Sequence, residues 1–510
     1  MKKMYISDKI KENDIRSWTE GTNIMITAPT GSGKSTIIMG NKSEGVYGLN
    51  DFALEQGKSI LFLTNRDLLK GQFKEIIKKN GSSNIRLMNY QAIEKLLLDK
   101  VDMQLLNEYD YIVIDECHYF FNDSTFNDKT DLSLKWILEQ NDKTRIFMSA
   151  TSNSIVEYLE KYAELDLIKY SIDRDYSYID KLYFYEDDEV LKKMLLELPK
   201  DEKAIYFSGA EKSYNISQEL EGASFYCSEH NRTYSQYRDM EVYEQIKNNY
   251  KFDGKILCTT TVMDNGVSIL DDAVKHIIID VFDIDSLIQC LGRKRLSYGE
   301  KVNVYIKNYT GSQINGKINH TKNGLLFADT LIERGENYLV AKYPRKSYGK
   351  IIYEELDGTI EDGKVHKYVN FIMYYKYNSI IKFCEELLTN KRTNEQYSMY
   401  ISNLLQINYD NTQMLESYFD AVTIENIIDA KFTDKKLFLH QEYVELNDMI
   451  LKQLISIKGT VDYRTKKINP QTLENILRVQ LNLPYAISKP KQESRGENRG
   501  KRYVIITKIN

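Results

Sequence analysis

The sequence predicts an α/β chain with two tandem parallel-sheet domains, followed by a mostly α region. Three observations lead there. Through the first 310 residues, short apolar runs alternate with helical patterns. Those runs are apolar throughout rather than at every second residue, as strands buried on both faces of a parallel sheet require. The alternation passes through two successive series, the pattern of two βαβ domains. A length of 510 residues has room for about three domains.

The first series of strands is expected at Ile24–Thr27, Ser59–Thr64, Ile85–Asn89, Tyr111–Asp115 and Arg145–Ser149. The second is expected at Lys181–Tyr185, Ala204–Ser208, Ser224–Cys227, Lys255–Thr259, His276–Asp280 and Val302–Ile306. The break falls near Ile168–Asp180, which places domains at 1–170, 171–312 and 313–510. Around 313 the texture changes, with Gly311, Gly316 and Gly324 punctuating a polar stretch. Helical patterns follow at Tyr368–Leu388 and Glu395–Ile407, then at Leu446–Ile457 and Thr472–Leu481. A basic, glycine-containing loop at Lys489–Arg502 leads into a strand at Tyr503–Thr507, an order that resembles a winged helix. The Tyr-rich Phe371–Phe383 could stack bases, but its helical spacing favours core packing.

Composition narrows the function classes. Hydrophobic residues make up 42% and charged residues 28%, ordinary for a globular protein with a substantial core. No run reaches the roughly 18–20 apolar residues of a membrane span. The start, with Lys2 and Lys3 but no apolar run behind them, does not read as a secretory leader. The five cysteines (Cys117, Cys227, Cys258, Cys290, Cys384) stand singly, which suits neither a zinc module nor a disulfide framework and leads us to expect a reducing, cytoplasmic setting. A net charge of −5 excludes a globally basic nucleic-acid coat, so any nucleic-acid site must be local. The basic segment is Lys489–Asn510, with seven cations against Glu493 and Glu497; it reads equally as a phosphate contact or as a solvated loop.

The strand ending at Thr27 runs into Ala28-Pro29-Thr30-Gly31-Ser32-Gly33-Lys34-Ser35, and a helix opens at Thr36. Glycines at 31 and 33 let the backbone curl so that successive N–H groups point into one concavity, a nest for phosphate. In such a P-loop Lys34 reaches the β- and γ-phosphates and the Ser35 hydroxyl meets Mg²⁺, so ATP and Mg²⁺ are the expected cofactors.

A second apolar strand ends on Asp115-Glu116-Cys117-His118. Phosphoryl transfer needs one carboxylate for the metal shell, the role that falls to Asp115, and another to position the attacking water, the role of Glu116. The ends of strands are where open α/β sheets place their ligand chemistry.

Ala28–Ser35 followed by Asp-Glu-Cys-His at 115–118 resembles motifs I and II of superfamily 2 helicases, in the DExH subgroup. Other segments resemble that family's motifs in the same order: Phe62–Gln72 (Ia), Met88–Ala92 (Ib), Ser149-Ala150-Thr151 (III), Ile205–Gly209 (IV), Thr260–Ser268 (V) and Gln289–Arg295 (VI). The last is one residue shorter than the usual form, with Cys290 in place of an arginine, and is similar to the shortened form of herpesvirus-type origin-binding helicases. The resemblance covers residues 15–310. It implies two RecA-like domains, with Arg293 and Arg295 as arginine fingers and Gln289 and Gly266 on the nucleotide. Ser149, Thr151 and His118 would couple nucleotide state to nucleic acid. It also implies nucleic-acid contacts at Asn65, Arg66, Gln72, Asn89, Tyr90, Gln91, Ser208, Gly209 and Thr260. No Q motif precedes the P-loop, so tolerance of other nucleoside triphosphates is expected; Trp18 is the residue placed nearest the adenine.

The reading is an ATP-dependent helicase or translocase, with DNA expected over RNA as its track. Two others stay open: a nucleic-acid-stimulated motor of a remodelling, restriction or defence complex that separates no strands, and a nucleic-acid-binding module switched by ATP. Protein partners of a replication, repair or defence complex fit any of these.

Overall fold

The computed structural model describes residues 4–65, 84–99, 101, 103–125, 127, 129–151, 153–229, 231–261, 268–297, 299–344, 346–357, 363–389, 395–456 and 468–509. Arg66, Gln72 and Gly266, expected in the site, and His230 lie outside the described residues.

The first sheet has β1 (Asn23–Thr27), β2 (Ile60–Thr64), β3 (Ile85–Asn89), β4 (Tyr111–Asp115), β5 (Thr144–Ser149) and β6 (Leu167–Ser171), in the order β3-β2-β4-β5-β1-β6 and all parallel. Residues such as Ile24, Phe62, Val113 and Ile146 are wholly buried, as continuous apolar strands under helices on both faces must be. The sequence pattern does not predict β6. It is an edge strand whose Ile168 and Lys169 are exposed, so it carries no apolar run for such a pattern to find.

The second sheet contains β7 (Ile179–Tyr185), β8 (Lys203–Ser208), β9 (Ala223–Tyr226), β10 (Ile256–Thr260), β11 (Val274–Ile279) and β12 (Val302–Lys307). It too is parallel throughout, so the chain carries two parallel-sheet α/β domains in tandem. Its far edge gains a short strand from the accessory region, which pairs Gln413 and Met414 with Tyr183 and Phe184.

Helices dominate the accessory region. The stretch with Gly311, Gly316 and Gly324 is one helix, Gly311–Arg334, opened by a Thr310 capping box with Gln313. Gly324 has a packing reason: a Cβ there would come within 2.4 Å of the Tyr377 ring. Tyr377 belongs to the helix Phe371–Leu388, which straddles the two sheets' domains. Its Tyr375 ring meets Phe121, Tyr158 and Tyr162 of the first, and its Phe383 ring meets Phe282 of the second. A two-stranded hairpin, β13 (Ile352–Asp357) and β14 (Lys364–Val369), precedes that helix.

With the 413–414 strand counted as β15, the chain closes on a unit of three helical segments and a small antiparallel sheet. The order is helix Leu415–Lys431, β16 (Lys436–Phe438), helix Glu442–Ser456, helical segment Pro470–Gln480, β17 (Tyr485–Ile487), β18 (Lys491–Gln492) and β19 (Arg502–Lys508). β19 lies between β16 and β17. Ile424, Ile428, Leu446, Leu473, Leu477 and Val504 share its core.

Candidate nucleotide cleft

Three neighbouring strands of the first sheet deliver the site. β1 pairs β5 with Thr27 beside Ser149, and β5 pairs β4 with Met148 beside Asp115. The segments after all three strands therefore leave the same edge of the sheet side by side: Ala28–Ser35, Asp115–His118 and Ser149–Thr151. Ala28 N–H donates to the Ser149 carbonyl at 3.1 Å, and Cys117 N–H to that of Met148 at 2.9 Å.

In the loop, Gly31 (φ +77°) and Gly33 (φ +88°) adopt the left-handed backbone that turns N–H groups inward. Pro29 accepts from the Ser32 hydroxyl at 2.6 Å. The Lys34 ammonium, nearly buried, donates to the Ala28 carbonyl at 2.8 Å. A cation held over its own loop is placed to move onto an anion that enters it. Gly31, Gly33, Lys34, Ser35, Thr36, Asp115 and Glu116 line one cavity of about 580 Å³, the size of a small-molecule site. Pro29 and Thr30 face the interdomain cavity, whereas Ala28 is wholly enclosed in the core.

Glu116 is buried and holds φ +51°, a conformation that costs a non-glycine residue on the order of 1 kcal/mol. His118 Nδ1 lies 2.9 Å from Ser149 Oγ and 3.4 Å from Glu116 Oε2. The Ser149 hydroxyl donates to the Thr151 carbonyl and accepts from Thr151 N–H at 3.0 Å. With its one proton so engaged, Ser149 accepts from His118, which places the imidazole proton on Nδ1. Thr151 continues the series: its hydroxyl accepts from Gln289 Nε2 at 3.2 Å. Buried polar contacts thus run from Glu116 to the second domain.

That domain offers Gln289 from the helix Ile284–Leu291 and the arginines from an extended segment just after it. Ile269 N–H donates to the Arg293 carbonyl and Arg295 N–H to that of Ile269, parallel-strand pairing about Lys294. Alternate side chains of an extended chain share a face. Arg293 and Arg295 accordingly line the cleft, while Lys294 points into the protein, 2.9 Å from Glu300. Arg295 Nη1 donates to the Thr30 carbonyl of the P-loop at 3.2 Å, and its Nε to Ser268 Oγ at 3.1 Å. A cavity of about 330 Å³ between the domains is walled by Pro29, Thr30, Glu116, His118, Gln289, Arg293 and Arg295. It shares Thr30, Glu116 and Arg295 with the P-loop cavity, so the two are one cleft.

The expected nucleic-acid residues divide. Asn65 and Asn89 sit just beyond or at the carboxyl ends of β2 and β3, and Ser208 and Thr260 are paired at the ends of β8 and β10, with Gly209 next to Ser208. Gln91 is exposed in the first turn of the helix Tyr90–Leu98. Tyr90 is different and corrects the expectation of a nucleic-acid contact. Its ring is wholly buried, stacked on Tyr119 at 4.7 Å, and its hydroxyl donates to the Asp115 carbonyl at 2.7 Å. A buried phenol that has found a partner has no reason to leave; Tyr90 braces the acidic turn from below.

Trp18 is likewise a core residue, 6.1 Å from the Tyr170 ring and absent from the cavity lining. Tyr5 stands at the P-loop cavity instead, its ring against Gly33, while Ile6 N–H donates to the Ser32 carbonyl at 2.9 Å. Sequence reading missed Tyr5 and also Arg174, which donates to the Ala150 carbonyl from the segment between the sheets and lines the cleft. Neither lies in a motif; the only available signal was an aromatic ahead of a P-loop and an arginine in the interdomain break.

Residues 49–159 match the family model of the DEAD/DEAH box helicases, a segment that includes Asp115–His118 but not the P-loop. No curated protein matches. Among solved structures, the chain is similar to the Mycobacterium smegmatis helicase Lhr bound to ssDNA and AMP-PNP. Identity is 12%, covering 62% of this chain and 47% of that one, with a TM-score of 0.41. For the DEAD-box helicase Mss116 bound to ssRNA and UDP-BeF, identity is 14%, coverage 79% and 87%, and the TM-score 0.43. For S. cerevisiae Dbp5 bound to RNA and ADP BeF3 the values are 16%, 58% and 81%, and 0.38. The chain spans about half the length of the Lhr chain it matches.

Proposed function

With a DEAD/DEAH box helicase domain at residues 49–159 as the starting point, we propose that the chain is an ATP-hydrolysing motor that works on nucleic acid, as a helicase or translocase. One observation carries the proposal: Lys34, Ser35, Asp115 and Glu116 of the first domain and Arg295 of the second line one cleft, with Arg295 hydrogen-bonded to the P-loop.

The loop N–H groups and Lys34 take the phosphates of ATP. Ser35 and Asp115 offer oxygen donors beside them, which suits Mg²⁺; bound there, the ion would neutralise charge on the β- and γ-phosphates. Glu116 accepts a proton from the attacking water, with His118 Nδ1 standing 3.4 Å from its carboxylate. Arg293 and Arg295 meet the charge that develops on the transferred phosphoryl group. An arginine so placed is worth roughly 10³–10⁵ in rate. Because those arginines come from the other domain, ATP favours the closed cleft and its loss favours opening, a population shift driven by differential contacts.

Asn65, Asn89 and Gly209 stand at the carboxyl edges of the two sheets, where a strand of nucleic acid could be held by phosphate and sugar; Ser208 and Thr260 are buried at the strand ends beside them. DNA is the expected track. The test is ATP hydrolysis measured side by side with single-stranded DNA, duplex DNA and RNA, and strand separation measured on tailed duplexes. Stimulation by DNA supports the motor; a rate indifferent to every nucleic acid overturns it.

A further inference from the structure

We propose that residues 415–508 form a winged-helix unit whose β-hairpin grips the phosphates of duplex DNA, and that the second motor domain carries this grip. The inference rests on the nucleic-acid reading above for the identity of its ligand.

The topology comes first. Helix, strand, two further helical segments, then two strands joined by a hairpin, with the last strand central, is the order and pairing of a winged helix. β18 extends the hairpin on one side, pairing Lys491 with Tyr503 and Gln492 with Arg502, and the turn closes through Gly500 N–H on the Glu493 carbonyl.

The charge comes second. Lys489, Lys491, Arg495, Arg499, Lys501 and Arg502 are all exposed on this hairpin, in a chain of net charge −5. Of its two carboxylates, Glu493 is already taken by Lys436 of β16. None of the six cations has an ion-pair partner among the described residues. Six cations gathered on one hairpin, with Glu497 the carboxylate left beside them, fit a polyanion, and such contacts release counterions from it. Beside the hairpin, the segment Pro470–Gln480 packs on β17 and leaves Gln471, Asn475 and Arg478 exposed. A helix next to a phosphate grip suits the major groove of B-form DNA, which admits it; the deep, narrow major groove of duplex RNA does not.

The attachment comes third. The helix Leu415–Lys431 belongs to two cores at once. Leu415 and Phe419 are buried with the second sheet, whereas Ile424 and Ile428 are buried in the terminal unit. At its start the Glu416 carboxylate accepts from the N–H groups of Glu186 and Asp187 at 2.7 and 2.8 Å, just after β7. One continuous helix fixed at both ends transmits rotation, so opening and closing of the cleft would swing the hairpin with the second domain.

The test uses the full chain and a fluorescently labelled duplex across a salt series. Arg495→Glu, Arg499→Glu and Lys501→Glu are made together, beside a charge-keeping control (Arg495→Lys, Arg499→Lys, Lys501→Arg). The reversal should weaken duplex DNA binding by about tenfold or more and flatten the slope of log affinity against log salt by roughly three. The control should bind as the parent does, and binding to single-stranded DNA should change little. Unchanged duplex affinity and slope overturn the proposal, as do an equal loss on single-stranded DNA and tighter binding to duplex RNA than to duplex DNA. A chain that loses duplex binding through the hairpin yet shows no nucleic-acid-stimulated hydrolysis keeps this site and loses the motor reading.

Discussion

Gln289 Nε2 donates to Thr151 Oγ1 at 3.2 Å, joining the second domain to the series of polar contacts that begins at Glu116. Ser154 on one side and Asp285 on the other add a second link, 3.1 Å long. Hydrolysis and domain position are therefore connected through side-chain contacts that cross the cleft. A neutral hydrogen bond of this kind contributes about 0.5–1.5 kcal/mol. Gln289→Ala should accordingly lower nucleic-acid-stimulated kcat by roughly two- to tenfold, and Thr151→Val should do the same. The double variant should cost no more than either single one if the contact is what matters. Additive losses in the double-mutant cycle would show that the two residues act separately.

Glu116→Gln keeps the shape of the acidic turn but removes the proton acceptor. Turnover should fall by about 10³ or more while ATP binding, followed with a fluorescent analogue, stays near the parent value. Lys34→Ala should lose both. Normal hydrolysis by Glu116→Gln would take the base assignment away from this residue.

Much of this site was legible because its residues stand in short contiguous segments at strand ends. The P-loop and Asp115–His118 each follow an apolar run, and run and ligand-bearing turn reinforce one another as signals. The rest was hidden for physical reasons. Tyr90 sits inside a segment that resembles a nucleic-acid motif, but its fate depends on Tyr119 and the Asp115 carbonyl, 25 residues or more away in the chain. Tyr5 and Arg174 reach the cleft only because the chain folds back over it. β6 is an exposed edge, and the helix Gly311–Arg334 contains Gly324, whose cost is offset by close packing at Tyr377.

The shortened segment Arg293-Lys294-Arg295 separates into two roles by its extended geometry. Arg293→Ala and Arg295→Ala should each cut kcat steeply, by about 10³ or more, with folding intact. Lys294 is fully enclosed, 2.9 Å from Glu300, which Lys275 also meets at 3.4 Å, so Lys294→Ala removes one of two cations together with a buried side chain and should cost about 1.5–3 kcal/mol of stability. Thermal unfolding beside single-turnover hydrolysis separates the two outcomes. A Lys294→Ala chain that melts like the parent, or an Arg295→Ala chain that melts much earlier, would reverse the assignment.

Stability should also depend on pH through Asp131, in the first turn of the helix Thr130–Glu139. Burial pushes its carboxyl up to about 7, and the nearby Glu94 and Glu355 act in the same direction. Unfolded, the group titrates near its ordinary value of about 3.9. Between these two values the folded chain holds a proton that the unfolded chain has released. Stability from this group is thus fully present below about pH 4 and declines as pH rises toward 7. Asp131→Asn keeps the size and removes the titration. The variant should gain on the parent in Tm as pH is raised from about 5 to about 8. A Tm difference that stays constant across that range would show that the carboxyl is ionised throughout and that burial does not set its charge.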